Sequence, residues 1–474
     1  MSNSGSIIIT LLVLAGIIYF LAKQYKAQPV LLFSGFVLLA CTVIFGLGWG
    51  IPFEPPTDPT KSAYTTGAVW LDIFEVFKNK MSSNLAGLGL TLMAIAGFAS
   101  YMEHVKASPA LFAVFEKPLS KVKSPYLLLV FSFIVTQILV LFIPSHAGLG
   151  VLLMVTMYPI LIRTGVSRLS AVGIIACCQF IDHGPGSGNV IFASKTTGLD
   201  PAVYFVQHQL PVTIPIIIAV AVTHYFVQKW FDKRDGYVFT GKPEAGIELK
   251  DEDGERPPMI YAILPIIPLA LIIGFSKIVH SSIKMDVTTA MLLSTLIAMI
   301  FELVRLKSLR KVMDSLQVFF QGMGKQFVMV VSLIVCSQVF AQGLLAIGFV
   351  DILIDSAKNA GFGVIAMTLA MSIILAVSAF FMGSGNAAFF SFAPLTPKIA
   401  ESLGVEIVTV LLPMQIMTSF GRVVSPITPA IIAIAGMAGV SPLQVVKRTA
   451  IPMLVAALIN VAFMVYNLSA VPVA

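Results

Sequence analysis

The tetrapeptide Gly-Ser-Gly-Asn occurs twice, as Gly186-Ser187-Gly188-Asn189 and as Gly383-Ser384-Gly385-Asn386, each time inside a hydrophobic stretch long enough for a membrane helix. Glycine costs a helix interior about 1 kcal/mol relative to alanine, and Ser and Asn compete for its backbone hydrogen bonds. With no water to satisfy freed peptide groups, irregular backbone survives at membrane depth only where protein buries it or where it lines a cavity. Two such interruptions, one in each half of a chain, are the pattern of a binding site built from discontinuous helices.

The surroundings support a membrane setting. Of 474 residues 57% are hydrophobic and 11% charged, and the mean hydropathy is +0.94. A soluble domain carries about 25% charged residues. Apolar runs long enough to span recur along the whole chain, so a polytopic helical protein is expected, with no separate soluble domain. Its net charge of +7 does not indicate nucleic acid, because Lys and Arg cluster in short loops between apolar runs, the distribution that sets topology. Cys41, Cys177, Cys178 and Cys336 all lie in apolar runs, without metal spacing, and read as packing residues. The first six residues carry no Lys or Arg, and Lys23 and Lys26 follow the first apolar run, so a retained helix is expected rather than a signal peptide.

Single helices are expected over about 6–22, 28–48, 83–103, 210–228, 257–277, 286–304, 326–346 and 449–470. The regions 126–193 and 362–438 each suggest a helical hairpin followed by a broken helix. Segments 104–124, 229–257 and 305–325 read as loops. Val69 to Phe77 reads as a short amphipathic stretch on the outer surface, and Trp49, Trp70 and Trp230 sit at span ends or on that stretch. With both termini outside and each hairpin returning to its own side, 21 of the 30 Lys and Arg fall in inside loops and 8 outside, with Arg422 within a span. That bias supports the orientation. It does not separate a re-entrant hairpin from two full crossings.

The halves also resemble each other. Gly198-Leu199-Asp200-Pro201 corresponds to Gly439-Val440-Ser441-Pro442, and Pro211 to Pro452, both at an offset of 241. Gly165-Val166 corresponds to Gly404-Val405, and Ser145 to Ser384, at 239; Ser187 corresponds to Ser425 at 238. The near-constant offsets indicate duplication, and the sidedness of the two hairpins indicates inversion. The expected domains are an extra N-terminal helix (1–27), a first repeat (28–228; hairpin about 126–163, broken helix about 169–194), a loop and connecting helix (229–277), and a second repeat (278–474; hairpin about 362–403, broken helix about 405–438). The two Gly-Ser-Gly-Asn copies are then not equivalent: the first lies in a break, the second at a hairpin tip.

The passages GLGVLLMVTMYP (Gly148 to Pro159), GSGNAAFFSF (Gly383 to Phe392), GRVVSP (Gly421 to Pro426) and SPLQVVKRTAIPML (Ser441 to Leu454) resemble the DcuC family of anaerobic C4-dicarboxylate carriers, within the ion transporter superfamily. The resemblance runs over nearly the full length. It implies an all-α integral membrane protein, an inverted-repeat secondary transporter with two re-entrant helical hairpins and two broken transmembrane helices that meet near the midplane. It also implies exchange, uptake or efflux of fumarate, succinate and similar dicarboxylates across the bacterial inner membrane, and a homodimer. No cofactor is expected and no metal site is assigned. H⁺ and Na⁺ both remain open as coupling ion.

A dicarboxylate has two acceptor-only ends, so a buried site needs donors and positive charge. The candidates are Ser145 and His146 at the first tip, Ser187 and Asn189 in the first break, Ser384, Gly385 and Asn386 at the second tip, and Arg422, Ser425 and Thr428 at the second break. Half-helix N-termini would add positive dipole ends. Arg422 is the sharpest, because an arginine at a span centre costs roughly 2.5–3.5 kcal/mol unless it faces a cavity or a partner such as Asp182. Asp182, His183 and His146 depart from the smaller or apolar residues that the family resemblance leads one to expect. Asp182 and His183 are candidates for carrying a coupling proton, against the alternative of a buried Asp–His or Asp–Arg pair. Competing readings are a carrier of another organic anion, a passive channel, and an intramembrane hydrolase pairing Ser145 or Ser187 with His146 or His183.

Overall fold

Apolar runs in a medium without water become helices, because only a helix satisfies every peptide group within its own segment. A computed structural model describes residues 2–23, 25–49, 66, 68–238, 258–279, 282–283, 285–359 and 363–469, and these residues are helical with no strand among them. In chain order the helices begin with α1 (Ser2–Ala22), α2 (Ala27–Trp49), α3 (Val69–Asn84), α4 (Leu90–His104) and α5 (Ala107–Ser120). α6 (Pro125–Leu139) and α7 (His146–Arg163) form the first hairpin, and α8 (Arg168–Ala176) and α9 (Gly188–Thr197) the first broken helix. α10 (Pro201–Val203) leads into α11 (Leu210–Arg234), and α12 (Ile267–Gly274) and α13 (Val287–Leu306) follow. Next come α14 (Leu309–Gln326), α15 (Ser332–Ala346) and α16 (Phe349–Asn359). The second hairpin is α17 (Val364–Met382) with α18 (Gly385–Phe392) and α19 (Thr396–Leu403). The second broken helix is α20 (Ile407–Val423) and α21 (Pro429–Ala438), and α22 (Pro442–Ser469) closes the chain. Among the described residues, eight helices are long and apolar enough to cross a membrane.

The element boundaries recur at the offset that relates the Gly198 and Gly439 landmarks. α9 and α21 match in that register at both ends, and the first residues of α10 and α22, Pro201 and Pro442, match in it too. Helices α3–α4 and α14–α15 are each continuous through a π-turn, at Leu85–Gly89 and Phe327–Val331, which correspond to within one position. The short helix α5 likewise precedes the first hairpin as α16 precedes the second.

Three segments differ from the sequence expectation. The stretch from Val69 is not a separate piece, because its helix runs through to His104. Segment 104–124, read as a loop, contains α5, whose Ala107, Ala110, Leu111 and Phe112 are buried. Segment 305–325, read likewise, contains α14, which buries Val312, Phe319 and Gly322 against α4. Both are amphipathic, and their polar faces diluted the apolar signal that marks a span. The expected loop from Lys229 begins only after Arg234, and from 239 to 257 it lies outside the described residues.

Arg448, counted among the inside-loop charges because it falls just before the expected 449–470 helix, is also different. It lies within α22 and is 3% exposed. Its Nη1 is 2.7 Å from Asp232 Oδ1 and its Nη2 2.7 Å from Asp235 Oδ2, both at the end of α11. Ser167 and Ser170 at the start of α8 also donate to Asp232, at 2.7 and 2.9 Å. This network fixes the entry of the first broken helix against the closing helices of both halves.

Candidate functional site

The site is built around two helix interruptions. Between α8 and α9 the chain runs irregularly, with Gly184 at φ +97, a left-handed value that glycine reaches without strain. Two glutamines hold this segment. Gln209 donates to the Asp182 carbonyl at 2.8 Å and accepts from the Gly184 N–H at 3.3 Å. Gln415 of α20 donates to the same Asp182 carbonyl at 3.2 Å and accepts from the Tyr204 hydroxyl at 2.5 Å. Backbone groups freed by unwinding are thus paired with side chains of a neighbouring helix and of the opposite half. Gln209→Leu would leave the buried Gly184 N–H without its partner and the Asp182 carbonyl with Gln415 alone. The expected loss is roughly 1–3 kcal/mol of stability, read as a lower melting temperature in detergent; an unchanged value would mean that the break holds itself.

The second interruption, from Val424 to Thr428, is closed by its own hydroxyls. Thr428 Oγ1 donates to the Arg422 carbonyl at 2.6 Å, and Ser425 Oγ donates to the Phe380 carbonyl of α17 at 2.6 Å. Thr428 precedes α21 as its N-cap, as Ser187 precedes α9. By cap position the counterpart of Ser187 is therefore Thr428, in the register that the flanking landmarks share, rather than Ser425.

The two tips are alike. Ser145 and Ser384 are both extended N-cap residues, and each accepts a 3.2 Å hydrogen bond from the N–H three residues on, Gly148 and Ala387. Each hydroxyl therefore has a capping role. Ser145 is exposed and Ser384 half-buried. Gly383 turns the second tip in the left-handed region, at φ +59. A Cβ on Gly385 would come 2.9 Å from the Thr418 carbonyl and 3.2 Å from Arg422 Cδ, so a glycine is needed for this tip to reach α20.

The centre of the site is an ion pair across the halves. Arg422 Nη1 is 2.9 Å from Asp182 Oδ2, and the two side chains are 7% and 5% exposed. Asn189 Nδ2 donates to the same Oδ2 at 2.7 Å, and Gln179 Nε2 to Oδ1 at 2.5 Å. Arg422 Nη2 donates to the Gln179 carbonyl at 2.6 Å, and Nη1 also reaches Asn386 Oδ1 at 3.5 Å. Asp182 and Asn189 of the first break, Asn386 of the second tip and Arg422, nominated from three separate stretches of sequence, thus converge. Ser187 Oγ, Asn189 Oδ1, Ser419 Oγ and Arg422 Nε are buried without a hydrogen-bond partner among the described residues. Buried polar groups are ordinarily paired, so this cluster has unused capacity beside a guanidinium.

The histidines are placed otherwise. His146 Nε2 lies 3.0 Å from the Ala176 carbonyl. His183 is 3.1 Å from the Ile181 carbonyl through Nδ1 and 3.1 Å from the Gln137 carbonyl through Nε2. Of the paired alternatives, the Asp–Arg contact forms, and no Asp182–His183 ion pair is present among the described residues. No serine hydroxyl bonds a histidine ring there either, which removes the geometry a serine hydrolase needs. Sequence reasoning passed over Gln137, Gln179, Gln209 and Gln415. A glutamine inside an apolar run was the available signal, since an amide at membrane depth needs a partner.

Helical hairpins, paired helix breaks and a buried charge pair at their meeting define a multi-pass membrane protein with a transporter fold. A family model described as DcuC, C4-dicarboxylate anaerobic carrier, matches residues 6–469, and the chain belongs to this family of transporters, which are not enzymes. The probable anaerobic C4-dicarboxylate transporter DcuC of Vibrio cholerae is 35% identical over 94% of this chain and 95% of its own length. The anaerobic C4-dicarboxylate transporter DcuC of Escherichia coli K12 is 34% identical over 95% and 94%. The solved structure of MtrF from Neisseria gonorrhoeae, described with a class of antimetabolite efflux pumps, shares the fold with a TM-score of 0.63 at 12% identity, covering 93% of this chain and 95% of that one.

Proposed function

We propose that this protein moves C4-dicarboxylates such as succinate, fumarate and malate across a bacterial inner membrane by alternating access. The observation that carries this reading is the buried Arg422 at the meeting of both breaks and the second tip, with Asn386 in reach of it and Asn189 on the same Asp182 oxygen; the buried Ser187 hydroxyl, two residues before Asn189, is unpartnered among the described residues. A guanidinium takes a carboxylate through two parallel hydrogen bonds, and an excluded-water site strengthens both. The two tips with matching caps suit a ligand with two like ends. Family membership supports the same substrate class.

In this reading residues 28–228 and 278–474 are inverted repeats, with re-entrant hairpins at about 126–163 and 362–403 and broken helices at about 169–194 and 405–438. Residues 1–27 are an extra helix, and 229–277 is a cytoplasmic loop and connecting helix. Both chain ends face the periplasm, and the carrier is a homodimer in the bilayer. Substrate contacts come from Ser145, His146, Ser187, Asn189, Ser384, Gly385, Asn386, Arg422, Ser425 and Thr428. Ser425 and Thr428 act chiefly through the loop they close, and Asp182 and His183 are the candidates for the coupling proton. Ser187→Ala removes a hydroxyl with no protein partner, so a severalfold rise in KM with little change in melting temperature is expected. An unaltered KM would place Ser187 outside the site.

The test is counterflow of labelled succinate into proteoliposomes preloaded with fumarate, with and without Na⁺. Robust counterflow supports a C4-dicarboxylate carrier, and its response to Na⁺ bears on the coupling ion. Its absence in folded protein would reject the substrate. The Asp182 carboxylate inside the site favours one second reading, another organic anion on the same fold, which inhibition by unlabelled analogues would identify.

A further inference from the structure

Asp182 stands where a substrate carboxylate would have to bind. Its Oδ2 takes the Arg422 Nη1 and Asn189 Nδ2 donors, and both groups belong to the site proposed above. A carboxylate only accepts, so Asp182 and an incoming carboxylate compete for the same N–H groups. The fit of Asp182 is incomplete, because the buried Arg422 Nε is left without a partner among the described residues while Nη1 and Nη2 are taken. A free carboxylate, not tethered to the unwound backbone, has the freedom to engage it.

We propose that Asp182 is a built-in stand-in for one substrate carboxylate. It neutralises Arg422 in the empty carrier, the dicarboxylate displaces it, and the displaced carboxyl group takes up one proton. This rests on the dicarboxylate reading above and adds how the empty carrier behaves.

The charge arithmetic carries the argument. Asp182 and Arg422 lie 240 residues apart, the first within the first break and the second in the last turn of α20 just before the second break, so each half of the chain contributes one charge. Together they leave the empty site neutral. A lone guanidinium would have to cross a low-dielectric barrier unpaired, which is costly. The neutral pair removes that obstacle and allows the empty carrier to reorient, so net flux accompanies exchange.

Displacement then leaves the Asp182 carboxylate with amide donors alone, beside an arriving dianion. Two like charges this close do not both stay ionised. The proton comes from solution and adds to a carboxylate oxygen of Asp182, and no other bond changes. The groups facing Asp182 are consistent with this. α20 brings Arg422, and Gln415 onto its carbonyl; α9 brings Asn189; the turn before α11 brings Gln209; Gln179 comes from its own segment. Asn386 of α18 reaches Arg422, while the His146 and His183 rings are turned onto backbone carbonyls. Arg422 is the one charged partner of Asp182 among the described residues.

The experiment is calorimetry of succinate binding to the full-length protein at neutral pH, in buffers that differ in ionisation enthalpy. The expected result is uptake of about one proton per succinate by linkage, none in Asp182→Asn, and recovery in Asp182→Glu. In proteoliposomes, Asp182→Asn should lower the ratio of net succinate efflux to succinate–fumarate counterflow by about tenfold or more, since an unpaired Arg422 then needs an anion to cross. Binding heat independent of buffer in the parent protein would overturn the proposal, and that measurement needs no variant to fold. An Asp182→Asn ratio equal to that of the parent would overturn it too. No binding heat for succinate or fumarate would instead reject the dicarboxylate reading itself.

Discussion

Arg422→Ala is expected to abolish dicarboxylate transport while the protein remains inserted in the membrane. The guanidinium is the one cation at the meeting of the two breaks with a described ion pair, and it holds Asp182, the Gln179 carbonyl and Asn386 at once. Truncating one partner of a buried pair costs about 3–5 kcal/mol because the other charge is left alone. The assay therefore needs a folding control, such as a monodisperse elution profile. Arg422→Lys should rescue poorly, since a point charge does not reproduce a planar fork that serves three partners. The double change Arg422→Gln with Asp182→Asn removes both charges and should recover stability without recovering transport. Normal uptake kinetics in folded Arg422→Ala would take the residue out of the site.

The second large effect is expected at Gly421. A Cβ there would collide with the Ala376 carbonyl and stand 3.0 Å from Ala379 Cβ, so α20 and α17 touch through backbone at this point. Neither backbone can swing aside as a flexible side chain would. Gly421→Ala should therefore destabilise toward the upper end of the roughly 1–3 kcal/mol typical of overpacking, and Gly421→Val further. It should also shift Arg422, the next residue, so transport falls with stability. Thermal unfolding in detergent together with uptake is the check, and a melting temperature equal to that of the parent would show that the two helices separate more freely than their packing indicates.

The same two residues show what could be read in advance. Arg422 in an apolar run already pointed to the second break, because a charge where a span should be smooth needs a cavity or a partner, whereas the close approach at Gly421 could not be read. Ser145 and Ser384 were paired as tips by their offset of 239, and both are N-caps with matching geometry. Less legible were α5 and α14, whose charged faces resemble loops until a neighbour covers the other face. Arg448 was misplaced for a related reason: a charge near a span end reads as solvated unless its partner is known, and Asp232 lies 216 residues earlier. The glutamines that hold the first break carry no periodic signal, and several of their partners are backbone groups that any sequence possesses.

The sequence by itself determined the membrane class, most of the helical spans and the two places where helices must fail. These follow from local rules, because the bilayer requires each segment to satisfy its own peptide groups and composition alone shows where it cannot. Only the tertiary structure decided which polar groups meet. Asp182 and Arg422 are 240 residues apart in the chain and 2.9 Å apart in space. That contact exists because the helices of the two halves pack together, and among the described residues each buried charge then has no charged partner but the other.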